Sequence, residues 1–104
     1  MALNASPALD AVGEPTRRRI LDLLRSGPTS VTDLAAELPV SRPAVSQHLA
    51  RLQDAGLVRC SVRGRHHLYA LRSDGFEAIR DYADSFWSDA LARFRVVAES
   101  LEAG

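Results

Sequence analysis

The alternation of apolar and polar positions predicts helices over most of this chain. One short helix begins with Ser6 as its N-cap and ends at Gly13, and a second restarts at Pro15 and ends at Gly27. The apolar stripe of the second helix consists of Ile20, Leu23 and Leu24. Because these positions follow the i, i+3, i+4 pattern, they share one helix face that can pack into a core.

Two further helices follow each other with only two residues between them. The spacing predicts a third helix over residues 31–38, capped by Ser30, and a fourth over residues 41–55, capped by Ser41. The fourth helix groups Val45, Leu49 and Leu52 on one face and Pro43, Gln47, Ala50 and Asp54 on the opposite face. A helix pair joined by so short a turn predicts a helix-turn-helix over about residues 31–55.

Two runs of alternating residues then predict a β-hairpin, or wing, over about residues 57–72. One strand face holds Val58, Cys60 and Val62, and another holds Tyr69 and Leu71. Gly64 supplies the turn, so Arg63 and Arg65 are expected at its tip.

The remainder of the chain, about residues 75–102, predicts one long helix of about 42 Å. A globule of this chain length has a radius of gyration of only about 13 Å, so the helix is longer than the body on which it packs. A second copy of the same helix is expected to cover its apolar stripe, which predicts a homodimer through the first and last helices. The expected interface consists of Leu9, Phe76, Ile79, Ala83, Phe86, Trp87, Ala90, Phe94, Val97 and Leu101.

Composition limits the function classes. The chain has 104 residues, 46% hydrophobic and 25% charged, as in one ordinary globular domain. It has no apolar run near 18 residues and no basic-then-apolar leader, so neither a membrane span nor a secretory signal is expected. One cysteine, Cys60, excludes an internal disulfide and fits a reducing cytoplasm, where we expect the protein to be located.

The net charge of zero conceals a strong division along the chain. Residues 39–73 hold six arginines and one acid, a net charge of +5, whereas residues 74–104 hold three arginines and seven acids, a net charge of −4. A neutral protein whose positive charge is concentrated in one third can still present a face that attracts phosphates.

The order of these elements predicts a mainly α fold with a small β-hairpin, a single winged helix-turn-helix DNA-binding domain over residues 1–104. In such folds the N-terminal half of the recognition helix faces base edges. The Gln47 amide can pair with adenine through two hydrogen bonds, and arginines of the wing can follow phosphates or enter the minor groove. The candidate DNA-binding residues are Ser41, Arg42, Pro43, Ser46, Gln47, His48, Arg51, Arg63 and Arg65.

Several of these residues have a second interpretation. Ser41 is first a helix cap, and Pro43 is a residue that starts helices. Gln47 and Arg51 also fit a plain solvated face. His48 lies beside the apolar stripe, so it fits a hydrogen-bonded structural histidine as well as a phosphate ligand.

Catalytic and metal chemistry find no support in the motifs. No Ser or Cys nucleophile has an identifiable His and acid arrangement, and there is no glycine-rich phosphate loop. His66 and His67 are adjacent on a strand and point to opposite faces, so they do not easily share a metal. We therefore expect neither an enzyme nor a metal or other cofactor.

Four segments resemble the ArsR/SmtB family of bacterial repressors. They are Glu14–Leu21, Val31–Leu38, Ser41–Leu49 and Gly64–Tyr69, and the likeness extends over nearly the whole chain. The Ser-x-Pro-x-Val-Ser-x-His-Leu pattern is fairly specific. The resemblance implies a dimer built from the first and last helices, with two winged helix-turn-helix units on a palindromic operator. It also implies repression, often of the protein's own operon, relieved by an effector.

The chain departs from the metal-sensing members of that family. Their Cys-x-Cys pair lies where this chain has Ser30 and Thr32, which are poorer ligands for soft metals. Other members carry Asp and His ligands on the last helix, yet residues 75–104 contain no histidine. The lone Cys60 cannot form an intrachain dithiol switch. The chain therefore resembles the metal-independent branch, whose effectors are varied or unknown.

The leading hypothesis is a dimeric, sequence-specific DNA-binding repressor whose partners are double-stranded DNA and a second copy, with no membrane association. The alternative is a winged-helix module that binds another protein and not DNA. The +5 segment and Gln47 favour DNA, because a protein-binding surface does not need such a cluster of cations. A sensor that acts through DNA release would need a site that the sequence does not show.

Overall fold

The computed structural model describes residues 4–103. The helices are α1 (Ser6–Val12), α2 (Pro15–Leu23), α3 (Val31–Ala36), α4 (Arg42–Asp54) and α5 (Ser73–Ala103), with a 3-10 turn at Leu24–Ser26. The strands are β1 (Thr29–Ser30), β2 (Val58–Arg63) and β3 (His66–Leu71). The predicted order of helices and hairpin, that of a winged helix-turn-helix, is confirmed.

The strands form one antiparallel sheet in the order β1-β3-β2. In the hairpin, Val58 pairs with Leu71 and Arg63 with His66, so both strands lie within the predicted wing over about residues 57–72. β1 was not predicted, because two residues are too few to show an alternating pattern. It pairs with β3 through Thr29 and Tyr69, which attaches the start of α3 to the wing.

The core lies where α2, α3 and α4 meet the base of the hairpin. Its largest fully buried side chains are Ile20, Leu24, Leu34, Val45, Leu49, Leu52, Leu57 and Val58. The predicted buried face of α4 is therefore confirmed. On α2 the stripe differs, because Leu21 is buried and Leu23 only half-buried. Ile20, Leu21 and Leu24 follow an i, i+1, i+4 spacing, so the buried face of the helix is centred nearer to Leu21 than predicted.

Two predicted helix boundaries are wrong. Ser6 is the first residue of α1 and not its N-cap, because the backbone N–H of Ser6 donates to Oδ1 of Asn4 at 3.0 Å. α3 ends at Ala36, two residues before the predicted end at Leu38. A residue that precedes a proline is disfavoured in the helical region, so the chain leaves the helix ahead of Pro39.

The caps that bracket the helix-turn-helix are confirmed. Ser30 Oγ accepts from the Asp33 N–H at 3.1 Å, and Ser41 Oγ accepts from the Ala44 N–H at 3.2 Å. Gly56 follows α4 with φ +73°, the left-handed conformation that ends many helices. These caps fix where the second helix of the motif begins and ends.

α5 leaves the body after its first turns. Ala78 is buried and Ile79 half-buried, but apart from half-buried Ala98 the residues from Arg80 to Glu102 are exposed. The molecule is 70 Å long with a radius of gyration of 19.0 Å, against about 13 Å for a compact chain of this size. Within the described residues of one copy, nothing covers the apolar stripe of α5 beyond its first turns. No helix in residues 4–103 is both long and apolar enough to cross a membrane.

Candidate nucleic-acid interface

α4 presents a polar face to solvent. Its predicted outward positions, Pro43, Gln47, Ala50 and Asp54, are all exposed, while the opposite face is in the core. A helix of 13 residues is about 20 Å long. The major groove of DNA is about 12 Å wide and admits one α-helix. The exposed face of α4 therefore has the size and polarity needed for groove insertion.

The start of α4 combines a cap with free donors. The Ser41 hydroxyl oxygen accepts the Ala44 N–H, which leaves its own O–H as a donor. Pro43 lies in the first turn, where a helix has N–H groups without internal partners and loses nothing by the missing one. Arg42 and Ser46 are exposed one turn apart. The two alternative roles of Ser41 and Pro43, structure and DNA contact, are thus sterically compatible.

A groove of about 260 Å³ lies between the start of α3, the start of α4 and the hairpin. Its lining consists of Ser30, Val31, Thr32, Arg42, Ser46, Arg65, His66, His67 and Tyr69. The fold thus brings three of the predicted DNA-binding residues, from two elements, around one concave surface. Ser30 was predicted as a helix cap, and Ser30 and Thr32 as replaced metal-ligand positions, but neither as lining of this groove, since the pairing of Ser30 with Leu68 joins distant residues.

The remaining candidate residues lie outside this groove. Gln47 and Arg51 are exposed one turn apart on the outward side of α4. Arg63 is exposed at the hairpin tip, where Gly64 adopts φ +60° in the turn. Arg59 was missed, although it is exposed on the same face of β2 as Arg63. Side chains two residues apart on a strand point to the same side, so the spacing of Arg59, Ser61 and Arg63 was the available signal.

The arginines of α4 and the hairpin differ from several arginines elsewhere in their lack of a described carboxylate partner. Arg42, Arg51, Arg59, Arg63 and Arg65 are exposed, and within residues 4–103 none of them forms an ion pair with a carboxylate. The ion-paired arginines are Arg25, Arg72 and Arg80, all outside this surface. Exposed guanidinium groups without a carboxylate partner are suited to bind phosphates.

His48 contacts two side chains from the start of α2. Its Nδ1 lies 3.4 Å from Arg17 Nη1 and 3.8 Å from Glu14 Oε2, and its side chain is 22% exposed. An arginine can only donate, so Nδ1 is the acceptor in this contact when the ring proton is on Nε2. Of its two interpretations, the structural one has these direct contacts, and the phosphate-ligand role stays a prediction.

Glu14 and Arg17, the side chains around His48, were not among the residues predicted from the sequence. Glu14 caps α2 by accepting the Arg17 N–H at 2.8 Å, and this hydrogen bond lowers the pKa of the Glu14 carboxyl below its ordinary value. Arg17 Nε donates to the Ala11 carbonyl at 2.8 Å, and Arg18 Nη1 donates to the Val12 carbonyl at 3.1 Å. Arginines directly after a helix end were the available signal, because cations bind the last carbonyls of helices.

Cys60 lies beside other titratable groups at the base of the wing. It pairs across the strands with Tyr69, and its Sγ is 3.8 Å from His67 Nδ1. Burial raises the pKa of the Tyr69 hydroxyl, and the Cys60 contact adds to that shift. No group of three His, Cys, Asp or Glu side chains suited to a metal is present in residues 4–103.

Comparisons with known proteins agree with this architecture. The model of the family described as "Bacterial regulatory protein, arsR family" matches residues 14–59, from the cap of α2 to the start of β2. The HTH-type transcriptional regulator Rv2034 of Mycobacterium tuberculosis is 43% identical over 93 residues, which are 89% of this chain and 87% of that protein. The transcriptional repressor SdpR of Bacillus subtilis is 36% identical over 63 residues, which are 61% of this chain and 70% of that protein.

A solved structure extends the likeness to three dimensions. The solution structure of a homodimeric winged helix-turn-helix DNA-binding domain from Mycobacterium bovis matches with a TM-score of 0.63 at 25% identity, over 82% of this chain and 77% of that one. The resemblance stated from the sequence motifs is thereby confirmed. The chain belongs to the arsR family of bacterial regulatory proteins, and its function is that of a DNA-binding transcriptional regulator and not of an enzyme.

Proposed function

We propose that the protein is a homodimeric repressor that acts in the cytoplasm on a palindromic operator. The observation that carries this proposal is the set of five exposed arginines on α4 and the hairpin, none of them paired with a carboxylate among the described residues, next to the exposed amide of Gln47. Charge of this kind supplies affinity for the phosphate backbone, and a side-chain amide supplies discrimination between bases.

Each candidate residue has a role in the proposed complex. Arg42, Ser46 and Arg65 line one groove and hold a backbone phosphate between the recognition helix and the wing. Gln47 reads an adenine in the major groove. The remaining proposed contacts to phosphates or groove edges are Ser41, Pro43, His48, Arg51 and Arg63.

The dimer is proposed to form through α1 and α5. The stripe of α5 is apolar and exposed in a single copy, with Phe94 71% and Leu101 77% exposed. Contiguous apolar patches of this kind mark interaction surfaces. The proposed interface consists of Leu9, Phe76, Ile79, Ala83, Phe86, Trp87, Ala90, Phe94, Val97 and Leu101. Two-fold symmetry then requires two recognition helices about 34 Å apart and an operator with matching symmetry.

Repression is supported by the relative described as a transcriptional repressor. Steric exclusion supports the same proposal, because a dimer that covers two successive major grooves hinders another protein from binding the same DNA. The promoter region upstream of the protein's own gene is the first target to test, since repressors resembling this chain often regulate their own operon.

A salt titration tests the proposal. The full-length protein is titrated onto a labelled fragment of its own promoter region at several salt concentrations. The logarithm of the binding constant is expected to fall linearly with the logarithm of the salt concentration, by about 0.9 for each phosphate neutralised. The variant Arg80→Ala is the control, because Arg80 is on α5 outside the proposed interface, and it should keep the same slope. Absent or salt-insensitive binding, or capture of a protein partner by the same surface, would contradict the proposal.

A further inference from the structure

One guanidinium group joins α1 to the recognition helix. Arg17 belongs to α2, yet its Nε donates to the Ala11 carbonyl at 2.8 Å and its Nη2 to the Asp10 carbonyl at 3.3 Å, both in the last turn of α1. Its Nη1 contacts Nδ1 of His48 on α4 at 3.4 Å. A single side chain therefore contacts the end of one helix and the middle of another.

The contacts of Arg17 define a fixed geometry. Its guanidinium is planar, with donors in a rigid fork, so three simultaneous contacts determine its orientation. Glu14 adjoins the same cluster, because its Oε2 accepts the Arg17 backbone N–H at 2.8 Å; it lies 3.8 Å from His48 Nδ1, beyond hydrogen-bond distance. The side chain of His48 is 22% exposed, so these contacts are partly shielded from water.

This cluster connects α1 and α4, the two helices whose relative orientation matters most for a DNA-bound dimer. α1 belongs to the proposed dimer interface, and α4 carries the proposed base contact. The angle between them determines the separation and rotation of the two recognition helices in a dimer. α1 also packs through its buried Ala8 and Ala11, and the polar contacts of Arg17 add direction to that packing.

Arg18 shows what a purely local role looks like. It donates to the Val12 carbonyl at 3.1 Å and so also satisfies the end of α1, but no described hydrogen bond or ion pair joins it to α4. Arg17 and Arg18 are thus neighbours that both cap α1, and only Arg17 reaches the recognition helix.

We propose that Arg17, acting through His48, is a positioning residue for DNA recognition that sets the half-site spacing the dimer accepts. The inference rests on the proposed function, a dimer on a palindromic operator. Arg17 need not touch DNA for this role. Its effect is on the orientation of α4 relative to α1, and hence on the distance between the two copies of Gln47.

The test uses operators whose central spacer differs by one base pair. A palindromic site is first selected from random DNA with the full-length protein, and variants with one base pair removed, or with one or two added, are then made. Each base pair shifts a half-site by about 3.4 Å and about 36°. The unaltered protein is expected to lose about tenfold in affinity or more per base pair away from the optimum. Arg17→Ala and His48→Ala are expected to flatten this profile to about threefold or less.

Two further variants separate positioning from other roles. Arg18→Ala should keep the steep spacing profile, because it removes a cap of α1 without affecting α4. His48→Asn should restore the profile, since its carboxamide oxygen replaces Nδ1 as the acceptor from Arg17. A phosphate contact by His48 would instead change affinity equally at every spacing and lower the salt slope.

The outcomes distinguish this inference from the proposed function. If His48→Ala and Arg17→Ala weaken binding by the same factor at every spacing, the positioning role is wrong while the operator-binding dimer stands. If Arg17→Ala does not fold, as judged by thermal unfolding, His48→Ala and His48→Asn alone decide the question. If the unaltered protein binds no palindromic DNA, both ideas are wrong.

Discussion

Two surfaces of this molecule are left uncovered by its own fold, and they have opposite chemistry. The outward face of α4 and the hairpin is polar and carries exposed arginines, whereas the stripe along α5 is apolar and aromatic, with Trp87 68% and Phe94 71% exposed. The segment 39–73 that contains the first surface has a net charge of +5, and the segment 74–104 that contains the second has −4.

The difference shows how one small chain separates two binding tasks. Cations on the first surface attract phosphates, and the association is weakened by salt. The apolar stripe releases ordered water when it is covered, and salts excluded from protein surfaces strengthen such burial. The acids of α5 repel DNA, so a duplex approaches the molecule on the α4 side. Salt dependence is therefore the property that distinguishes the two surfaces most directly.

The largest expected effect comes from the apolar surface. Burying a phenylalanine side chain contributes about 1.5–3 kcal/mol, and Phe94→Ala removes it from both copies, so the dimer dissociation constant should rise by about 10²- to 10⁴-fold. Sedimentation velocity over a dilution series measures this. Glu99→Ala is the control on the opposite side of α5 and should leave the dimer intact. If Phe94→Ala dimerises like the unaltered protein, the stripe is not the dimer interface.

The next effect belongs to the polar surface. Gln47→Ala should relax discrimination at one operator position by about 1–3 kcal/mol, because the amide that pairs with adenine is lost. Competition binding with operators altered at each position locates the change. Gln53→Ala is a matched control, since Gln53 is exposed on α4 but outside the proposed contacts. An unchanged sequence preference in Gln47→Ala would disprove the proposed register of α4 in the groove.

A smaller and sequence-independent effect is expected at the wing. Arg65→Ala removes one proposed phosphate contact, so it should weaken binding to all sequences and reduce the salt slope by about 0.9. The measurement is a salt titration on the operator and on unrelated DNA. Arg95→Ala on α5 should leave both slopes unchanged. A loss of sequence preference, with no change in slope, would mean that Arg65 reads bases.

The smallest expected effect concerns Glu14, which caps α2 and lies beside Arg17 and His48. The pKa of Glu14 is lowered in the folded protein because its carboxylate accepts the Arg17 N–H. Its stabilising contribution is therefore complete above the ordinary carboxyl pKa and is lost as the pH falls through the lower folded value. Urea unfolding of the unaltered protein and of Glu14→Gln should differ at neutral pH, and the difference should shrink below the ordinary Glu pKa of about 4.3 and vanish below the lowered folded pKa. A difference that is constant with pH would contradict this account.

Much of the architecture was predictable because the signals are local. The caps Ser30 and Ser41, the buried face of α4 and the hairpin turn all depend on residues within about one or two helical turns of each other. Strand β1 and the role of Arg17 were not predictable in this way. Thr29 pairs with Tyr69 and Arg17 with His48, and such contacts between distant residues leave no periodic pattern in the sequence.

The candidate site likewise combines features that local sequence patterns predict with features that only tertiary packing produces. The residue types on the outward face of α4 could be read from helical periodicity, and their exposure is confirmed. The groove lined by Arg42, Ser46 and Arg65 could not be predicted from periodicity, because it depends on how the hairpin packs beside α3 and α4. His48 illustrates the limit most clearly, since its position beside the stripe fitted two roles and the structure placed it against Glu14 and Arg17.

The sequence by itself determined the elements, their caps, the charge division and the apolar stripe that a single body cannot cover, because propensity, capping and periodicity act over a few residues. The tertiary structure decided which polar groups meet. It closed the groove between recognition helix and wing, and it placed one arginine between α1 and α4, because those arrangements follow from the packing of a shared core and not from any local preference.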